Sequence, residues 1–143
     1  MTDDVAEIRS VIARQFESIG WNAGRSPDWS AFEADFLGEA RLVPAARPVK
    51  TCTLGDFVER MSRVAANDLA SLEETLLGAD IRVFGNVAVA LAVCAISEND
   101  AVPERGVEAL LLVKDGGRWR IAGQAWDMEG PDKPVPDSLI DGR

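Results

Sequence analysis

The groups that could do acid–base chemistry in this chain are restricted by what the sequence lacks. Its 143 residues include no histidine and no tyrosine. Histidine is the usual general base near neutral pH and the commonest metal ligand, so its absence excludes histidine-dependent nucleophiles and histidine-based metal sites. Any proton transfer must use aspartate, glutamate, lysine or cysteine, and we expect neither a metal nor another cofactor.

One such carboxylate lies in the stretch from Arg105 to Gly130. Two apolar runs flank Asp115-Gly116-Gly117, a sequence typical of a tight β-hairpin turn because glycine readily adopts positive φ angles. Side chains alternate between the two faces of a strand. If Trp119 is buried, alternation places Asp127 on the inner face of the sheet. It places Trp126 on the outer face unless a β-bulge reverses the alternation.

The remaining elements can be read from hydrophobic periodicity and capping residues. Three helices are predicted, at residues 4–19, from Pro27 to Gly38, and after Thr53. An edge strand is predicted at 40–49, and long strands at 69–84 and 86–97 precede the final hairpin.

This order of elements predicts the fold class. Helices followed by long antiparallel strands indicate an α+β domain, in which three N-terminal helices cover one face of a curved antiparallel sheet. We assign residues 1–130 to this single domain and residues 131–143 to a loosely held C-terminal tail.

The final hairpin also resembles a known family. The sequence G-x-W-x-I at residues 117–121 and a last strand that closes on Trp126-Asp127 resemble the last two strands of the nuclear-transport-factor-2-like superfamily, also called cystatin-like or SnoaL-like. The order of elements resembles that superfamily over nearly the whole chain. The resemblance implies a cone-shaped roll whose open end is a pocket, in a branch of unknown function.

The resemblance also suggests roles for individual residues. SnoaL-like cyclases often have His-Trp-Asp where this chain has Ala125-Trp126-Asp127, which implies that Asp127 is a base for an acidic C–H bond or an anchor for a ligand hydroxyl. Alternatively, Asp127 only accepts backbone N–H bonds at the strand end. Ketosteroid-isomerase activity is rejected, because its two acidic positions align with Pro44 and Ala109 and its tyrosine has no counterpart.

Five further residues are candidate ligand contacts. Trp21 and Trp29 lie at positions that are near the pocket in this fold, where they would stack on a ligand or simply fill the core. Arg47 could bind a carboxylate at the pocket mouth or remain solvated. Glu73 and Glu74 must point to opposite faces of their strand, so at most one of them can face the pocket, and we select Glu74 as the candidate. Trp126 is included for the case in which a bulge turns it inward.

Charge and cysteine content limit the partners. Fifteen basic and twenty-four acidic residues give a net charge of −9, and the basic residues form no cluster, so nucleic acid and anionic membranes are not expected partners. No apolar run reaches the ~20 residues of a membrane span, and the N-terminus lacks signal-peptide features. Cys52 and Cys94 are expected to be free thiols in a cytoplasmic protein.

The predicted outer sheet face indicates self-association. Leu110, Leu112 and Trp126 are predicted to point outward, where a solvated sheet would carry polar residues. A large apolar face of this kind favours a homodimer packed through the convex side of the sheet.

Three functions remain open at this point. The favoured one is a binding protein for a small apolar or aromatic ligand, with or without a negative charge, held in an internal pocket. The second is a cofactor-free isomerase, cyclase or lyase with Asp127 as its acid/base group. The third is a non-catalytic dimeric accessory module, which the absence of histidine and tyrosine would suit.

Overall fold

The computed structural model describes residues 3–142. The helices are α1 (Asp4–Ile19), α2 (Trp29–Ala34) and α3 (Leu54–Asn67), and a 3-10 turn covers Asp137–Leu139. The strands are β1 (Phe36–Pro44), β2 (Cys52–Thr53), β3 (Leu72–Phe84), β4 (Val87–Glu98), β5 (Glu104–Asp115) and β6 (Arg118–Met128).

Capping residues explain where the helices begin. The α1 N-cap is Asp3, whose side chain accepts a hydrogen bond from the Ala6 N–H, and Thr53 forms a reciprocal capping box with Asp56 at the start of α3. Both starts agree with the predictions. The second helix is shorter than predicted, because Asp28 is its N-cap and the chain from Phe36 onward already belongs to β1.

The six strands form one curved, unclosed sheet in the order β2-β1-β6-β5-β4-β3. Strands β3 to β6 are joined as consecutive antiparallel pairs, as predicted. The sheet is nevertheless mixed, because β1 pairs with β6 in parallel. The α+β class is confirmed, but the prediction of a fully antiparallel sheet is wrong. The relative direction of β1 and β6 could not be predicted, because the two strands are far apart in sequence and no local pattern records how they pair.

The core lies between the helices and the inner face of the sheet. The α1 residues Ile8, Ile12 and Phe16 are fully buried against Trp119 and Ile121 of β6. Burial of each large apolar side chain contributes roughly 1.5–3 kcal/mol to folding, so this layer fixes α1 across the sheet.

Two polar anchors hold α1 in position. The Trp119 indole N–H donates to Asp4 Oδ1 over 2.9 Å. Arg14 binds the fully buried carboxylate of Asp35 through two hydrogen bonds of 2.6 and 2.9 Å, so that the charge of Asp35 is paired.

A β-bulge at Ala122 decides which side chains of β6 face the core. Ile121 pairs with Leu112 and Gly123 pairs with Leu111, so Ala122 has no partner on β5. The extra residue reverses the alternation. Before the bulge odd-numbered residues of β6 point inward, and after it even-numbered residues do.

The centre of the outer sheet face is apolar, but its residues differ from the predicted ones. Leu110 and Leu112 are 3% and 0% exposed in the core, which corrects their predicted outward positions, because the inward-facing residues of β5 are the even-numbered ones. The exposed apolar residues of this face are Phe84, Val87, Val89, Leu91 and Leu111. Within residues 3–142, no helix combines the length and apolar character needed to cross a bilayer.

The C-terminal residues lie against the sheet. Val135 is buried, its N–H donates to Glu129 Oε2 over 2.6 Å, and the Asp141 N–H donates to the Leu77 carbonyl over 2.9 Å. The chain at residues 139–141 passes so close to Gly78 that a Cβ there would lie 2.0 Å from the Leu139 carbonyl oxygen. Glycine at position 78 therefore allows this close approach.

Candidate functional site

A cavity of about 200 Å³ opens between α1, α3 and the inner face of the sheet. Its volume is below the roughly 300–1,000 Å³ of pockets for drug-sized ligands, so it suits a small molecule. The lining residues come from two helices and five strands: Gln15, Ile19, Leu42, Pro44, Phe57, Arg60, Met61, Leu72, Glu74, Ile96, Glu98, Glu108, Gln124 and Trp126.

The deep end of the cavity carries a pair of carboxamides and a carboxyl group. Gln124 Nε2 donates to Glu108 Oε2 over 2.7 Å. Gln15 Oε1 and Gln124 Oε1 are both buried without a hydrogen-bond partner, and their residues are 2% and 4% exposed. An unsatisfied buried acceptor costs about 1–3 kcal/mol, so a bound donor group would relieve this cost.

Two glutamates of the cavity have strongly perturbed acidities. Burial, together with the charge of Glu74, raises the pKa of Glu108 to about 8. Burial also raises the pKa of Glu74 to about 7, against a hydrogen bond from Cys94 that lowers it. The Cys94 Sγ lies 3.6 Å from Glu74 Oε1, and burial raises the pKa of this thiol. Each of these two glutamates can therefore gain or lose a proton near neutral pH.

The walls of the cavity are apolar and aromatic. The rings of Phe57 and Trp126 meet edge to face with centroids 5.9 Å apart. Leu42 and Leu72 are buried in the opposite walls, and Ile96 is half-buried. Glu98 and Arg60 are exposed, so the mouth of the cavity lies on their side.

Asp127 does not face this cavity, which corrects its predicted position. Because the bulge reverses the alternation, Asp127 is exposed and its carboxylate accepts a 2.8 Å hydrogen bond from Lys133 Nζ. The hydrogen bond from Lys133 lowers the pKa of Asp127. A solvated, ion-paired carboxylate of lowered basicity is a poor general base. The side chain of Asp127 also accepts a hydrogen bond from the Met128 N–H over 3.0 Å, which fits the alternative that it accepts backbone N–H bonds at the strand end.

The other candidate residues divide into two groups. Glu74 and Trp126 line the cavity. Trp21 is buried in the core and donates from Nε1 to the Leu69 carbonyl over 2.9 Å, Trp29 packs edge to face on a core phenylalanine, and Arg47 is exposed and donates to the Ala45 carbonyl. These three do not line the cavity.

Three residues that line the cavity were not among the candidates predicted from the sequence: Gln15, Glu108 and Gln124. The signal for the first two was present, since Gln15 interrupts the apolar stripe of α1 and Glu108 interrupts the apolar run of β5. Buried polar residues in such positions often bind a ligand or each other. Gln124 could not be found from alternation alone, because the bulge turns it inward.

Among residues 3–142, no group of three or more histidine, cysteine, aspartate or glutamate side chains is arranged to hold a metal ion. The cavity carboxyls instead interact with Gln124 and Cys94.

No protein-family model matches this chain, and no curated protein matches it either. Solved structures, however, do match it. A protein of unknown function with a cystatin-like fold from Nostoc punctiforme superposes with a TM-score of 0.70 at 13% identity, covering 90% of this chain and 92% of that one. An NTF2-like protein of unknown function from Pseudomonas putida gives 0.67 at 15% identity, covering 100% and 99%.

A third structure adds a named activity for a relative in fold. It is an NTF2-like protein from Streptomyces avermitilis, described as a proposed dehydratase, with a TM-score of 0.70 at 14% identity over 89% of this chain and 96% of that one. Identities this low concern the fold alone. The chain has the cystatin-like fold of NTF2-like proteins.

Proposed function

We propose that this chain is a small-molecule-binding protein whose ligand occupies the inner cavity. The observation that carries the proposal is the pair of buried, unpartnered carboxamide oxygens, Gln15 Oε1 and Gln124 Oε1, in a space whose other lining residues are mostly apolar or aromatic and include four charged side chains. A site of this kind combines apolar contact with a few fixed polar groups that orient a ligand.

A ligand screen with a blocked cavity tests the proposal. Small aromatic and aliphatic amines, alcohols, ketones and carboxylates are screened by thermal shift, since a ligand at a hundred times its Kd stabilises the folded state by roughly 2.7 kcal/mol. Ile96→Trp fills the cavity from its half-buried wall. Val102→Trp is the control, because Val102 lies in a loop and is 88% exposed.

We expect compounds that stabilise the wild type and Val102→Trp but not Ile96→Trp. Two results would contradict the proposal: a screen in which nothing stabilises the wild type, or stabilising compounds whose effect persists in Ile96→Trp. Nuclear magnetic resonance of a labelled methionine reports the same event locally, since Met61 lines the cavity.

A proton-transfer enzyme is the second candidate. It is favoured by the two raised pKa values, because between about pH 7 and pH 8 the pair Glu74 and Glu108 holds one proton and can both accept and donate. This assignment replaces Asp127. The test is exchange of ligand C–H hydrogens in D2O, which should require both glutamates and stop in Glu74→Gln and in Glu108→Gln.

We also propose that two copies pair through the outer face of the sheet. Val89, Leu91 and Leu111 are 53%, 43% and 50% exposed on adjacent strands, and they lie along a groove of about 620 Å³ on that face. Arg41, Asp80 and Arg82 also line this groove, and pairing of two copies would remove the apolar centre of the face from water.

A further inference from the structure

We infer that the ligand of the cavity is an organic cation, an ammonium group carried on a small apolar or aromatic body. This inference depends on the proposed binding function and narrows it to one chemical class. Three properties of the cavity carry it: the hydrogen-bonding character of its deep end, the charges that line it, and the aromatic side chains in its wall.

The deep end of the cavity offers acceptors. Because Gln124 Nε2 donates to the carboxyl group of Glu108, the orientation of this carboxamide is fixed and its Oε1 is left as the free atom. Gln15 adds a second free oxygen from α1. A ligand that satisfies these atoms must bring N–H or O–H donors, and an ammonium group brings up to three.

The charges that line the cavity are mostly negative. Glu74 comes from β3, Glu98 from β4 and Glu108 from β5, and Arg60 of α3 is the one cationic side chain among the lining residues. Arg60 is exposed on the mouth side, whereas Glu108 is 6% exposed at the deep end. Where these glutamates are ionised, above about pH 7 to 8, a cation is therefore attracted inward, and a ligand carboxylate would meet like charges.

The aromatic wall suits the same ligand. Trp126 lies directly across the β5–β6 ladder from Glu108 and packs against Phe57, so aromatic rings and a carboxyl group border one space. Aromatic faces attract ammonium groups, most strongly when the site is desolvated. The cavity volume of about 200 Å³ limits the apolar body to about the size of one ring or a short chain.

Proton linkage distinguishes this ligand from a neutral one. In the empty cavity burial raises the pKa of both glutamates, and the groups that face them are Cys94 and Glu98 of β4 and Arg60 of α3. A bound cation favours the ionised carboxylates, so binding releases protons and affinity rises with pH. A carbonyl ligand would instead accept a hydrogen bond from a protonated glutamate, and its affinity would fall with pH.

The test compares four probes that share a phenyl ring: benzylamine, benzyl alcohol, acetophenone and phenylacetate. Binding is measured by titration calorimetry at pH 6 and pH 8, in buffers of different ionisation enthalpy so that released protons are counted. We expect benzylamine to bind tightest at pH 8, about tenfold tighter than at pH 6 if one proton is released over part of this range. Phenylacetate should not bind measurably.

Variants confirm where the cation lies. Glu108→Gln and Glu74→Gln should each weaken benzylamine at pH 8 by about tenfold while leaving benzyl alcohol within about twofold, since the carboxamide keeps size but loses charge. Glu73→Gln is the matched control, because Glu73 is the exposed neighbour of Glu74 on the other face of β3. It should leave every affinity unchanged.

The outcomes separate this inference from the proposed function. If benzyl alcohol or acetophenone binds as tightly as benzylamine, or if benzylamine affinity falls between pH 6 and pH 8, the cation is wrong and a ligand-binding cavity stands. If phenylacetate binds tightest, the cavity prefers an anion, and the inference that its ligand is a cation is wrong. If none of the four binds while other compounds stabilise the protein and are lost in Ile96→Trp, the ligand class is again refuted but the binding function is not.

Discussion

Glu108→Gln should remove much of the pH dependence of the free energy of unfolding. The ordinary pKa of 4.5 rises to about 8 in the folded protein, so the folded state binds this proton more tightly than the unfolded state. The resulting stabilisation is fully present below about pH 4.5 and is lost as pH rises through about 8. The shift of roughly 3.5 pKa units sets an upper limit of about 5 kcal/mol, at about 1.4 kcal/mol for each unit.

The expected change is smaller than this limit, because part of the shift comes from the charge of Glu74, and that contribution acts only when both groups are ionised. We expect the free energy of unfolding of Glu108→Gln, relative to the wild type, to rise by about 2–4 kcal/mol between pH 5 and pH 9. Glutamine stays neutral throughout and can still accept the hydrogen bond that Gln124 now donates.

Urea denaturation at several pH values measures this difference, with the free energy extrapolated linearly to water. Glu104→Gln serves as the control on the same strand, because Glu104 is exposed and the substitution removes one negative charge in the same way. Parallel curves for the wild type and Glu108→Gln, with no relative change between pH 5 and pH 9, would refute the raised pKa and the buried position on which it depends.

Three further predictions follow from the corrected sheet faces and the cysteines. Leu111→Glu should convert a wild-type dimer into monomers in sedimentation experiments, and a wild type that is already monomeric at micromolar concentration would disprove the dimer. Cys52 should react with a thiol reagent faster than Cys94, which is buried and whose pKa is raised by burial; mass spectrometry of timed labelling checks the order. Asp127→Asn should leave ligand affinity unchanged in calorimetry, because its carboxylate is exposed and bound to Lys133.

Much of the fold could be predicted because its signals are local. The limits of α1 follow from Asp3, apolar spacing and Gly20, and the start of α3 follows from its capping box. The hairpin turns follow from glycines with positive φ, at Gly85 and Gly116. Each of these depends on residues within a few positions of one another, so one sequence is sufficient to find them.

The site could be predicted only in part because its geometry depends on strand register. Glu74 lies on the inner face and lines the cavity, because β3 is regular at that point. Asp127 was placed by counting along β6, and the single unpaired residue Ala122 inverts that count. The parallel pairing of β1 with β6 is also non-local, and the register between these two strands is irregular beside the bulge. The one local signal is Gly123, because a glycine inside a strand often lies beside a bulge, but it does not show which residue is unpaired.

The bulge makes the site sensitive to the register between β5 and β6. If β6 paired with β5 without the bulge and kept all its residues, the rest of β6 would exchange its two faces, so that Asp127 would enter the cavity and Gln124 and Trp126 would leave it. A strand that ends in Trp-Asp can thus present either its ring or its acid to a ligand without any change in those residues. Within this fold, a binding cavity and an acid-bearing cavity can therefore be separated by the presence or absence of one bulge, and a shared terminal motif does not imply a shared site.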